Sequence, residues 1–154
     1  MNYTSHDLNK TPLVTVADLQ KHRQWWVVDA TQYTLGRLAS RVAMYLLGKH
    51  KTHYCDMRDT GDFVVVKNFA SIKITGNKLL QKMYYRYSGY KGNLKETNLR
   101  DMMKKKPLDV LYYAVRGMLP KNKLRDRRMK RLKVFLDNNT QYDHYKLQSL
   151  PIDA

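Results

Sequence analysis

Asp59-Thr60-Gly61 is the tripeptide that carries the catalytic aspartate of aspartic proteases, where two such carboxylates share one proton. Here it occurs once, Met57-Arg58 precede it in place of an apolar strand, and Asp62 follows, so the required pair is missing. Asp59 and Asp62 are expected instead to hydrogen-bond within their own turn. His50, His53, Cys55 and Asp56 could each ligate a metal. Their spacing, H-x2-H-x-C-D, is not a usual zinc spacing, and no second Cys or His cluster completes it. There is no glycine-rich phosphate loop, no G-x-S-x-G and no G-x-G-x-x-G, and no nucleophile stands with its base. No catalytic residue, metal or cofactor is therefore expected, and the chemistry left to the chain is that of its cations.

Lys121 to Lys133 (KNKLRDRRMKRLK) holds eight Lys or Arg in thirteen residues, with Asp126 as its one acid. Like charges this dense repel one another within a Debye length unless a polyanion neutralises them. Lys121, Asn122, Lys123, Arg125, Arg127, Arg128, Lys130 and Arg131 are accordingly read as nucleic-acid contacts. If the segment is helical, Leu124, Arg128 and Leu132 share one stripe. A second segment, Tyr84 to Lys95 (YYRYSGYKGNLK), interleaves tyrosines with Arg86, Lys91 and Lys95 around Gly89 and Gly92. Cations meet phosphate, glycines let the backbone approach a sugar-phosphate chain, and tyrosine rings stack on unpaired bases. Arg86, Tyr87, Ser88, Gly89, Tyr90, Lys91 and Lys95 join the candidate set. The same segment also suits a hairpin with cross-strand tyrosine pairs. Lys49 and Lys51 form a weaker third site, because a helix C-terminus favours cations by its dipole alone. Arg37, Arg41 and Arg116 complete the set.

Composition agrees with this chemistry. The chain has 154 residues, 29 Lys and Arg against 13 Asp and Glu, a net charge of +16, and 12 tyrosines; Glu96 is its one glutamate. So basic a domain implies a polyanionic partner, nucleic acid first and an anionic membrane surface second. A membrane role would need a basic helix with a broad apolar face, and the stripe from Leu124 to Leu132 is too narrow. An RNA-processing enzyme would share the charge but need a catalytic cluster or cofactor loop. Hydrophobic residues at 43% suffice for a core, and the lone Cys55 permits no intrachain disulfide, as suits a reducing compartment. No apolar run approaches the roughly 18 residues of a membrane span. Met1 to Lys10 is polar, carries Asp7 and lacks Arg, so neither a secretory nor a transit signal is expected.

The elements that must position these cations can be read from periodicity. Residues 1–24 read as an N-terminal extension, with a short helical turn near Val16 to Leu19. Trp25 to Ala30 is a buried strand. Leu35, Leu38, Ala39, Val42 and Leu46 mark one face of a helix over Thr34 to Leu47, with Thr34 as N-cap and Gly48 as stop. Phe63 to Val66 is a strand covered on both faces. Ile72 to Thr75 alternates like a strand. Lys82 to Tyr87 is extended, and Ser88 to Asn93 is a loop. Thr97 to Lys106 is a helix with Leu99, Met102 and Met103 inward. Pro107 opens another helix, in which Leu108, Leu111, Val115 and Met118 repeat on one face. Leu124 to Leu132 is a short helix, Lys133 to Leu136 a last extended piece, and residues 137–154 a polar surface tail. Strands alternating with helices give one α/β domain over 25–136 with a small, mostly parallel or mixed sheet.

These segments together resemble the universal large-subunit ribosomal protein thirteen family in its bacterial form. The matching stretches include W-x-V-x-D-A-T from Trp25 to Thr31, L-G-R-L-A-S at Leu35 to Ser40 and G-K-H-K at Gly48 to Lys51. They continue with D-T-G-D-F-V at Asp59 to Val64, T-G-N-K at Thr75 to Lys78 and Y-Y-R-Y-S-G-Y at Tyr84 to Tyr90. A-V-R-G-M-L-P-K-N at Ala114 to Asn122 is the most specific, and K-R-L-K-V-F follows at Lys130 to Phe135. The chain departs from the pattern at Lys91 and Asn93, where Pro and Gly are common, and at Arg125-Asp126, where Gly-Arg is. The resemblance implies a three-layer α/β/α fold and no catalysis. It implies a place on large-subunit (23S-type) rRNA among neighbouring ribosomal proteins, with binding early in subunit assembly. Contacts are implied in the loop Ser88 to Asn93 and the segment Gly117 to Arg131. A cytoplasmic ribosome is expected, with an organelle ribosome as the alternative, and no membrane partner or homo-oligomer is expected.

Overall fold

The computed structural model describes residues 19, 21–138 and 141–151, so the N-terminal turn expected near Val16 lies largely outside the described residues. The aromatic and β-branched runs form strands. Trp25–Asp29 (β1) is followed by the helix Leu35–Leu47 (α1) and by Phe63–Lys67 (β2). Lys78–Gln81 (α2) leads to Met83–Tyr87 (β3) and Leu94–Asn98 (β4), then to the helices Leu99–Lys105 (α3), Pro107–Met118 (α4) and Leu124–Met129 (α5). Leu132–Val134 (β5) and Leu147–Ser149 (β6) complete the chain.

β1 and β2 pair in parallel, Trp25 opposite Phe63 through Asp29 opposite Lys67. Parallel strands require a crossover, and α1 is that crossover. β5 adds beside β2 and β6 beside β1, both parallel, giving the order β5-β2-β1-β6. Alternation along the strands then sorts the side chains. Val28, Val64, Val66, Leu132 and Val134 share one core with Leu38, Val42 and Leu46 of α1 and Leu111 and Val115 of α4. On the opposite face, Trp25 lies stacked between Phe63 and Tyr145, with ring centroids 4.2 Å apart in each case. Tyr142 stacks at 5.2 Å. The protein is a single α/β domain. Tyr142 and Tyr145 of the tail pack on this second face.

α1 ends as expected: Gly48 is left-handed (φ +86°) and its N–H reaches the carbonyls of Met44 and Tyr45. Thr34 occupies the N-cap position, but its side chain makes no capping hydrogen bond. Gly61 is required by contact, since a Cβ there would lie 1.8 Å from the Leu46 carbonyl oxygen. That approach seats the turn before β2 against the end of α1.

Three expectations are corrected. Ile72 to Thr75 forms no strand. A 3-10 turn over Phe69–Ser71 precedes it, and its one ladder contact is an isolated bridge between Thr34 and Lys73. The tail, expected as a polar surface segment, adds a strand instead: β6 pairs with β1 and Leu150 is buried. Met118 is not inward but 45% exposed.

Candidate nucleic-acid interface

The two aspartates around Gly61 hold cations rather than their own turn. Asp62 is fully buried and accepts from the Gln24 amide at 3.0 Å, Trp26 Nε1 at 3.1 Å and His50 Nε2 at 2.9 Å, and it is ion-paired with Lys51. Asp59 receives both terminal nitrogens of Arg131, one of them at 2.6 Å. Arg23 lies 3.4 Å and Arg128 Nε 3.6 Å from the same carboxylate. Arg131 also donates to the backbone oxygens of Asp62 and Leu46. Fixed-fork guanidinium geometry suits this multidentate role.

Three of the candidate contacts are buried in this network. Arg128 is 1% exposed and Arg131 5%, and the Lys51 side chain is 10% exposed. Two carboxylates, Asp59 and Asp62, stand among these three cations and Arg23, and Arg128 Nε and Nη2 are buried without a hydrogen-bond partner. Arg128 lies on the helical stripe shared by Leu124 and Leu132, and it is this stripe that turns inward. Burial holds the His50 imidazole below its ordinary pKa, against the pull of the Asp62 carboxylate. The neutral ring donates through Nε2, and Nδ1 is left buried without a partner.

The rest of the basic segment faces outward. Lys121, Asn122, Lys123, Arg127 and Lys130 are exposed, and Arg125 is half-buried. Asn122 Oδ1 accepts the Arg125 amide at 3.1 Å, fixing the entry into α5. Arg116 is exposed but sits 3.8 Å from the Asp126 carboxylate, so part of its charge is already balanced. On α1, Arg37 is exposed and Arg41 half-buried; Lys49, just past the helix end, is exposed.

β3 and β4 form a separate two-stranded antiparallel sheet. Its loop turns through Gly89 (φ +95°) and Gly92 (φ +73°), left-handed positions that favour glycine, and Asn93 Nδ2 closes it by donating to Ser88 Oγ at 2.8 Å. The expected cross-strand tyrosine pairs are absent. Tyr84 faces Thr97, Tyr85 faces Glu96 and Tyr87 faces Leu94. Tyr85, Tyr87 and Tyr90 are 63%, 59% and 77% exposed, free to meet an external surface. Arg86 stands directly opposite Lys95, a like-charge pair of the kind that destabilises a hairpin.

One assembly had no linear signal. Arg37, Lys73, Lys78 and Lys82 come together along an open groove of about 660 Å³ between α1, α2 and α4. These positions span 45 residues of sequence, and Lys73 reads simply as the outward side of an alternating run.

Residues 23–141 match the family model described as ribosomal protein L13. The large ribosomal subunit protein uL13 of Lawsonia intracellularis is 50% identical over 129 residues, 84% of this chain and 88% of its own length. The uL13 protein of Clostridioides difficile is 53% identical over 126 residues, 82% of this chain and 87% of its own. That of Aquifex aeolicus is 50% identical over 132 residues, 86% of this chain and 92% of its own. With the family model spanning most of the chain and bacterial relatives about half identical along it, the chain belongs to the ribosomal protein L13 family, a family of structural, non-enzymatic ribosomal components.

Proposed function

We propose that the chain is a structural constituent of a bacterial-type large ribosomal subunit, binds its rRNA through two exposed cationic surfaces, and supports early subunit assembly in the cytoplasm beside other subunit proteins. One surface is the β3–β4 hairpin, with Arg86, Lys91, Lys95 and the loop Ser88 to Tyr90. The other is the outward side of the segment around α5, with Lys121, Lys123, Arg127 and Lys130. Arg37 and Lys49 add to them. The observation that carries this reading is the Arg86–Lys95 pair. Two cations opposed across an exposed hairpin, with no acid in any ion pair described for them, cost stability in the free protein and gain it against a phosphate backbone.

The test is salt-titrated binding to large-subunit rRNA. If about six to eight phosphates are neutralised, log affinity falls with log salt at a slope of about −5 to −7. Replacing Lys123, Arg127 and Lys130 together with Gln flattens the slope by about 2.7, at roughly 0.9 per lost phosphate contact. In sedimentation of lysate, the wild-type chain is expected to migrate with large subunits at moderate salt. A slope near zero, or a wholly free pool in the gradient, refutes the proposal.

A further inference from the structure

We propose that the groove between α1, α2 and α4 holds one unstacked nucleotide of an RNA chain, its base against Tyr113 and Met118 and its phosphates on Arg37, Lys73, Lys78 and Lys82. The proposal rests on the RNA reading above and adds a pocket that reading does not need. The groove's volume, about 660 Å³, falls within the range of ligand pockets. Its lining contains four cations and no carboxylate. None of the four takes part in an ion pair among the described residues. Lys78 Nζ reaches only the Thr75 hydroxyl, at 3.3 Å, and Lys82 Nζ stands 5.6 Å from the Tyr84 ring. The floor is apolar, from half-buried Leu35 and Ile74 to buried Leu99. Tyr113 and Met118 are 49% and 45% exposed at its wall. A flat aromatic and a thioether beside unpaired cations suit a base joined to a phosphodiester.

Two glycines strengthen the case. Gly36 and Gly117 line the groove from the first turn of α1 and the last turn of α4. Neither is among the residues with positive φ, and a Cβ at either would meet nothing within 4 Å. Their missing side chains leave the groove wall open at these two positions. An acidic protein segment is the less suitable occupant. It would have to align four carboxylates, whereas a phosphodiester chain carries one charge at every residue.

The experiment uses the full chain, a fluorescent octauridylate containing 4-thiouridine, and a blunt RNA duplex. Gly117→Leu fills the groove without changing charge; Gly117→Ala improves the helix and leaves the groove open. Expected are a photoadduct on Tyr113 or Met118, its loss in Gly117→Leu, and an affinity for the octauridylate about tenfold weaker. Duplex affinity, the duplex salt slope and the melting temperature should stay at wild-type values or, for melting, rise, while the octauridylate salt slope flattens. Gly117→Ala should bind as wild type. Adducts confined to the hairpin tyrosines, or a Gly117→Leu variant that binds the octauridylate as wild type does, overturn the pocket while leaving the general RNA reading intact. A wild-type chain that binds neither RNA overturns that general reading and the pocket with it. Tighter binding of an octaglutamate peptide, lost in Gly117→Leu, would reassign the groove to a protein partner.

Discussion

A carboxylate with no solvent exposure needs partners that replace water, and Asp62 has four: two N–H groups, an imidazole and an ammonium. Asp62→Asn leaves Lys51 without its counter-charge. The expected cost is about 3–5 kcal/mol, the usual penalty for breaking a buried pair. It should be read as a lower urea midpoint at unchanged slope, and a loss under about 1 kcal/mol would mean that the network does not hold the fold. His50 gives a second expectation. Its folded pKa lies below the ordinary 6.5, with burial as the leading cause. As pH falls below about 6.5 the unfolded chain binds a proton that the folded chain resists, so stability drops with falling pH until the folded value is passed. His50→Gln keeps an N–H for Asp62 but does not titrate. Urea unfolding at pH 7, 6 and 5 should show a shallower fall for the variant. These roles were only half visible in the sequence. Eight cations in thirteen residues look alike, and Arg128 differs only by sharing a stripe with Leu124 and Leu132. Asp59 and Asp62 look like turn residues because their partners lie from 11 to 72 positions away.

At the scale of elements, composition and period sufficed wherever a side-chain pattern decides the structure. Phe63 to Val66 reads as a doubly covered strand, and Val64, Val65 and Val66 are all fully buried. The stripe of α1 likewise reads off directly. Pattern failed where neighbours decide. Ile72 to Thr75 has a strand's alternation, but β2 is already paired on both sides, by β1 and β5, so no edge beside it is open. Tyr84 to Lys95 suits a hairpin, but Thr97 and Asn98, with a helix's pattern after them, belong to β4, which carries no apolar face and has β3 as its one neighbour. β6 went unread because three residues are too few for a periodic signal. The tail therefore belongs to the domain, and this is testable. Leu150 is 6% exposed, and its amide donates to the Val27 carbonyl at 2.9 Å. Leu150→Ala should cost about 2 kcal/mol, the low end for a buried leucine. A urea midpoint within error of wild type would show that the tail does not close this side of the sheet.

At the scale of the whole molecule, two kinds of charge coexist, and salt separates them. Most of the net charge of +16 rests on exposed cations, while a buried minority is ion-paired with Asp59 and Asp62. Exposed charges repel through solvent, and their repulsion falls off within a Debye length of about 10 Å at 0.1 M salt and about 3 Å at 1 M. Buried pairs are screened far less. Raising salt should therefore relieve the repulsion and leave the internal pairs in place, so the free protein should melt higher in salt. Each 1 kcal/mol of relief is worth roughly 2–4 °C in a chain of this size. RNA affinity should move the opposite way, because salt competes for the same cations. The variant lacking Lys123, Arg127 and Lys130 isolates the cause. At low salt it should melt at or above wild type, and its melting temperature should rise less with added salt. The measurement is a melting series from 50 mM to 500 mM sodium chloride on both proteins. If the wild-type melting temperature falls as salt rises, exposed ion pairs dominate the charge energetics, and the surface cations serve the fold rather than an external polyanion.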